Sequence, residues 1–224
     1  TFYSFAFTGT VLATGLTLLE TPSAQAVTFY TNFADFDAAT TTTLVEDFEA
    51  VFPKSTNLPS FVSNGNTYTG ITSTGSAFPN VNVVPAGATG FGVPVTTSSV
   101  LTASGDEDFR VDFGTPAEAV AFDTYLNVFG PATVRVFGAS GLLDTLSLTH
   151  DPTTVGFLGM TSTELITAIQ WTSPNGSITD TGIDNIRLGD IIDSEPVPEP
   201  TSILSLLVLG TLGGRSLLKR RSQG

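Results

Sequence analysis

Apolar and polar residues alternate strictly from Phe109 to Phe113, with Phe109, Val111 and Phe113 on one side and Arg110 and Asp112 on the other. Side chains on a strand point to opposite faces with a period of two, so this pattern predicts a strand with one buried face. The same reading predicts strands over residues 118–126, 132–137, 142–148, 155–159, 165–171 and 183–188, with residues 138–141 as a tight hairpin turn. Upstream, residues 27–30 and 43–49 read as strands. Weaker strands are expected near 67–73 and 81–84, inside a stretch from 53 to 97 rich in Gly, Pro, Asn and Thr. One segment has helical spacing: Phe33 and Phe36 share a face of residues 32–39, with Thr31 or Asn32 as the N-cap. Short strands separated by turn signals, without alternation of strand and helix, predict an all-β protein. The expected fold is a jelly-roll-like antiparallel β-sandwich of about eight to ten strands with one short N-terminal helix.

Both ends break this pattern. Residues 5–19 are small and apolar, and Ser23, Ala24, Gln25 and Ala26 give the small-x-small form of a signal-peptide cleavage site. No initiator Met or basic residue precedes the run, so the start of a helical signal peptide is read as missing. At the other end Pro198, Glu199 and Pro200 precede an apolar run over residues 203–214, then Arg215, Lys219, Arg220 and Arg221. The run is shorter than the roughly 20 residues that span a bilayer. It can cross as a C-terminal hydrophobic helix if residues 216–218 join it and Arg215 snorkels to the interface. The basic end would then stay in the cytoplasm, with everything upstream facing outward. An ordinary C-terminal anchor is the plainer alternative. The expected organisation is a signal peptide over 1–26, a β-sandwich domain over 27–195 and a sorting tail over 196–224.

Composition narrows the domain further. There is no Cys, so no disulfide supports the fold. The chain carries 21 acidic against 8 basic residues, a formal net charge of -13. Within the domain the basic residues are only Lys54, Arg110, Arg135 and Arg187. Nucleic acids and anionic membranes are bound by neutralising phosphate with Lys and Arg, so the strongly acidic domain surface argues against binding either. Cations and neutral polysaccharide remain compatible, and solubility alone would also account for the charge.

The tail, with its Pro198-Glu199-Pro200 triplet, apolar run and basic end, resembles the sorting signal of PEP-CTERM proteins. Within the domain, Phe29-Tyr30, Phe33, Phe36 to Ala39, Asp47 to Glu49, Ala119 to Asp123 and Ile183 to Ile186 follow one another in the order of the jelly-roll domain common in that group. The resemblance implies an exported protein of a Gram-negative bacterium. It would pass through the secretion machinery, insert transiently through its C-terminal helix and be processed by an exosortase. It would come to rest at the cell surface, the outer envelope or the extracellular matrix, among exopolysaccharide.

Candidate chemistry is sparse. Calcium takes several oxygen ligands, and the early and late strands of a jelly roll often lie side by side. Asp47, Glu49, Asp184 and Asn185 are therefore a candidate structural calcium set. The alternative is local backbone hydrogen bonding by Asp184 and Asn185, with Asp47 and Glu49 exposed. Asp106, Glu107 and Asp108 read as a solvated acidic turn, and Asn175-Gly176-Ser177 fits a glycosylation acceptor. His150 is the only His and reads as a turn residue, which leaves no His-rich zinc site. Neither a nucleophile elbow nor a phosphate-binding glycine loop is present. Aromatic rings stack on sugar faces, which makes Tyr68 and Trp171 candidate carbohydrate-binding residues, with Tyr125 and Phe91 behind them. Trp171 equally suits core packing, and Tyr68 is expected to be the more exposed. The function expected first is a structural or adhesive surface protein associated with exopolysaccharide, not an enzyme. A carbohydrate-binding module is the alternative, and a polysaccharide-modifying enzyme using two carboxylates is the third reading.

Overall fold

The computed structural model describes residues 27–72, 79–87, 97–104, 108–126, 130–172 and 181–192. The expected signal peptide and sorting tail, with Pro198, Glu199, Pro200, Arg215, Lys219, Arg220 and Arg221, lie outside the described residues. So do Phe91, Asp106, Glu107 and the Asn175-Gly176-Ser177 triplet.

The described chain is a mostly antiparallel β-sandwich with one short N-terminal helix. The strands are β1 (Thr28–Tyr30), β2 (Thr40–Glu46), β3 (Ser60–Ser63), β4 (Asn66–Gly70), β5 (Asn80–Val84) and β6 (Val100–Ser104). They continue as β7 (Phe109–Tyr125), β8 (Ala132–Gly138), β9 (Gly141–Leu148), β10 (Gly156–Thr172) and β11 (Gly182–Ile191). The helix α1 (Phe33–Ala39) follows β1, and Asn32 caps it by accepting a hydrogen bond from the Ala34 amide at 2.8 Å.

Two strands of 17 residues each organise the whole. The first half of β7 pairs with β4 and with the second half of β10, which also pairs with β8; β3 and β9 extend this layer. The second half of β7 pairs with β11 and with the first half of β10, and β1, β2, β6 and β5 complete the other layer. The sequence reading expected two strands in each of these places. The apolar pattern does lapse at Gly114, Thr115 and Pro116, but β7 bends there without ending. Its inward set changes from Phe109, Val111 and Phe113 to Val120 and Phe122 across that bend. In β10 the register shifts between Thr161 and Ile166 and again before Ala168. The short strands β3 and β6 were not expected, because turn residues dominate their surroundings.

The core lies between the layers and contains Trp171, Phe122, Leu158, Ile169 and Tyr68, all fully buried. On the outer face of the second layer, Ala119 and Ala121 make room for Phe36 of α1. Gly159 is part of the same seat, because a Cβ there would run into the Phe36 ring. Gly159→Val is expected to lift α1 and lower stability by about 1–3 kcal/mol, read as a lower urea midpoint.

Candidate functional site

Two polar sites emerge from this framework. The first is built across β7 and β11, which set Asp123 and Asp184 directly opposite each other. The register then shifts between Asp184 and Arg187, and Asn185 takes a φ of 53°. Asn is among the few residues that accept this left-handed conformation readily. The bulge brings its amide onto both acids: Nδ2 donates to Asp123 Oδ2 at 2.8 Å and to Asp184 Oδ2 at 3.1 Å. Asp184 Oδ1 accepts from the Asn185 backbone amide at 2.6 Å, and its Oδ2 accepts from the Ser98 hydroxyl.

Asp184 is fully buried. Burial pushes its carboxyl up to about 6, against the hydrogen bonds from Ser98 and Asn185, and the charges of Asp123 and Glu49 push the same way. Burial also raises Asp123, opposed by Asn185 and by the Arg187 guanidinium. Arg187 is itself held over the Phe33 ring at 5.3 Å and donates to the Asn185 carbonyl at 2.9 Å. Hydrolytic carboxylate pairs leave room for a sugar bond between them. Here the Asn185 amide occupies that position.

The four residues of the candidate calcium set are placed unequally. Asp184 and Asn185 are in contact, and Glu49 is close enough for its charge to act on Asp184. Glu49 is nevertheless engaged with the Ser99 amide at 2.7 Å and with Lys54 at 3.2 Å, which hold its carboxyl below the ordinary range. Asp47 accepts from the Glu49 amide at 3.0 Å in a local turn. Among the described residues no three acidic or His side chains form a metal cage. Asp123 was not singled out from the sequence. Its place depends on the β7–β11 register, which no local pattern reports.

The second site is a groove of about 440 Å³ beside the bend of β7. The Asn64-Gly65 turn, with φ of 47° and 81°, joins β3 to β4 and brings its tip against that bend. Asn-Gly is the favoured pair for such a turn, so this feature was available in the sequence. Buried Asn66 fixes the contact by accepting from the Gly114 amide at 3.2 Å. A Cβ at Gly114 would strike the Gly65 carbonyl. Gly114→Ala is therefore expected to push the hairpin tip out and lower the urea midpoint, by about 1–3 kcal/mol. Half-buried Val45 and Leu188 with buried Ala117 give the groove apolar surface. Exposed Thr43, Asn64, Thr115 and Asp190 give it hydroxyl, amide and carboxylate groups. Among the described residues, Asp190 is the only acid in the lining and no basic residue joins it.

The aromatic candidates require correction. Tyr68 is fully buried, stacked on Phe61 at 4.8 Å and edge-on to Phe48 at 5.4 Å. In β4 it is Thr67 and Thr69 that face outward, while polar Asn66 shares the buried face with Tyr68 and donates to its hydroxyl at 3.4 Å. Trp171 is also fully buried, stacked on Phe109 at 5.9 Å, with its indole N–H donating to Thr181 Oγ1 at 2.9 Å. Neither ring offers a face to a sugar. Tyr125 is buried as well. His150 has Nε2 on Thr124 Oγ1 at 3.0 Å and Nδ1 on the Asp151 carbonyl at 2.9 Å, so both nitrogens are engaged. Asp108, expected in a solvated turn, is buried instead.

The sequence matches no family model and no curated protein. Among solved structures, the chain has distant similarity to β-sandwiches of family 29 carbohydrate binding modules. A CBM29-2 mutant complexed with cellulohexaose has 11% identity over 68% of this chain and 94% of its own, with a TM-score of 0.38. A CBM29-2 mutant complexed with mannohexaose has 10% identity over 67% of this chain and 94% of its own, with a TM-score of 0.34. A third, a mutant of a carbohydrate binding module family 29, has 16% identity over 59% of this chain and 99% of its own, with a TM-score of 0.30.

Proposed function

We propose that this protein is a non-catalytic polysaccharide-binding module of the bacterial exterior, holding a glycan chain in the groove beside the β7 bend. The observation that carries the reading is the lining of that groove. Hydroxyl, amide and carboxylate groups stand beside Val45 and Leu188, the mixture that a sugar's hydroxyls and apolar ring faces require. Among the described residues a single acid in the lining supplies a hydrogen-bond acceptor, where glycoside cleavage uses two carboxylates. The exterior setting rests on the sequence alone: the small-apolar leader over 1–26 and the Pro198-Glu199-Pro200 tail, on which an exosortase would act. An adhesive or structural role in an exopolysaccharide matrix follows from such binding.

The test is a glycan-array screen of wild type beside Thr115→Trp, which fills the groove from an exposed position. Binding by wild type and at least a tenfold loss in the variant is the expected outcome; binding untouched by the tryptophan would remove the groove from the proposal. A structural calcium ion at Asp47, Glu49, Asp184 and Asn185 is proposed separately. It predicts a melting midpoint that rises with calcium and falls with chelator, and equal midpoints would dismiss it.

A further inference from the structure

The groove also has a charge. Asp190 lies exposed in its lining, and a smaller recess that shares Val45 and Asn64 with it is lined by Glu46 and Asp47. The domain's basic residues are all elsewhere. Lys54 is engaged with Glu49 and Ser99, Arg110 is paired with Asp112 at 2.8 Å, Arg187 packs on Phe33, and Arg135 lies in β8. None of them lines either recess, and the whole chain stands at -13. A chain of uronic acids or sulfated sugars would bring negative charge to a negative wall with none of these four cations to receive it, whereas protonated amines on a sugar would meet a complementary one.

We infer that the groove selects a polysaccharide bearing free amines, such as a glucosamine polymer, over its N-acetylated form and over acidic polysaccharides. This inference rests on the groove being the glycan site. Asp190 sets the preference with half-buried Asp47 behind it, since Glu46 is buried and already accepts from the Phe48 amide and the Asn64 side-chain amide, while Val45, Leu188 and the hydroxyl and amide groups bind sugar regardless of charge. The contribution of one exposed charge pair corresponds to at most about a fivefold change in affinity, lessened by salt.

The full chain, immobilised on a sensor, is titrated with a glucosamine hexamer, its N-acetylated counterpart, a neutral glucan hexamer and an oligouronate. The pH is mildly acidic, so that the sugar amines are protonated. Expected is the order glucosamine, then the two neutral hexamers, then uronate, with about a fivefold advantage for the amine that shrinks in high salt. Asp190→Asn should lose most of that advantage, and a urea midpoint equal to that of wild type shows the variant to be folded. Equal affinity for amine and N-acetyl forms, or tighter binding of uronate, overturns the charge preference. If neutral glucan binds and Thr115→Trp abolishes it, the groove reading survives that failure. If none of the four sugars binds, or if Thr115→Trp changes nothing, both fall.

Discussion

Trp171→Ala is expected to cost about 3–5 kcal/mol of stability, the largest loss of any single substitution considered. The indole fills the space between the layers, with Phe109 stacked on it and Phe122 edge-on at 6.5 Å. Removing it opens a cavity, and Thr181 loses the indole N–H. Against the 5–15 kcal/mol that a domain of this kind has in total, such a loss leaves a small margin or none. Urea denaturation measures it. Trp171→Phe keeps most of the volume and should cost less than half as much. An exposed sugar platform would behave in the opposite way, with alanine lowering glycan affinity at an unchanged urea midpoint.

The second large effect falls on Asn185. Asn185→Ala removes the amide that bridges Asp123 and Asp184 and places a less tolerant residue at φ 53°. A lost hydrogen bond to a charged group and the left-handed backbone together amount to about 3 kcal/mol at neutral pH. Asn185→Gly separates the two causes, since it relieves the backbone and still lacks the amide.

The pH dependence has a definite sign. The Asp184 carboxyl is raised from 3.8 to about 6 in the folded chain, so the native state binds its proton more tightly than the unfolded chain does. That favourable term is complete below 3.8 and is lost as pH rises through about 6. The two-unit interval corresponds to about 3 kcal/mol, and Asp123 adds in the same direction. Glu49 acts oppositely, because its lowered carboxyl contributes above its ordinary 4.5 and loses that contribution in acid. The midpoint should therefore fall between mild acid and neutrality, Asp184→Asn should flatten the fall, and the penalty of Asn185→Ala should shrink in acid.

These two positions also show how far the sequence carries. Strict alternation in residues 109–113 placed Phe109, Val111 and Phe113 inward, and the core holds all three. The hairpin at 138–141 was legible because β8 and β9 are joined by only Ala139 and Ser140, with Gly141 at φ 120°. Phe33 and Phe36 marked α1 for the same reason, a local period. What escaped was non-local. Asp123 meets Asp184 only through the β7–β11 register, and the shift at Asn185 reverses the parity that a regular strand would follow. The groove joins β2, the β3–β4 turn, the β7 bend and β11, four places distant in the chain. Tyr68 was misjudged because its neighbours in sequence are polar, whereas Phe48 and Phe61 meet it from other elements.

Amide hydrogen exchange with and without a bound oligosaccharide tests the central claim most directly. Slowed exchange concentrated at residues 43–45, 64–66, 114–117 and 188–190 is the result expected of a glycan seated in the groove. Slowing confined to other segments, with these unchanged while the sugar is bound, would contradict it.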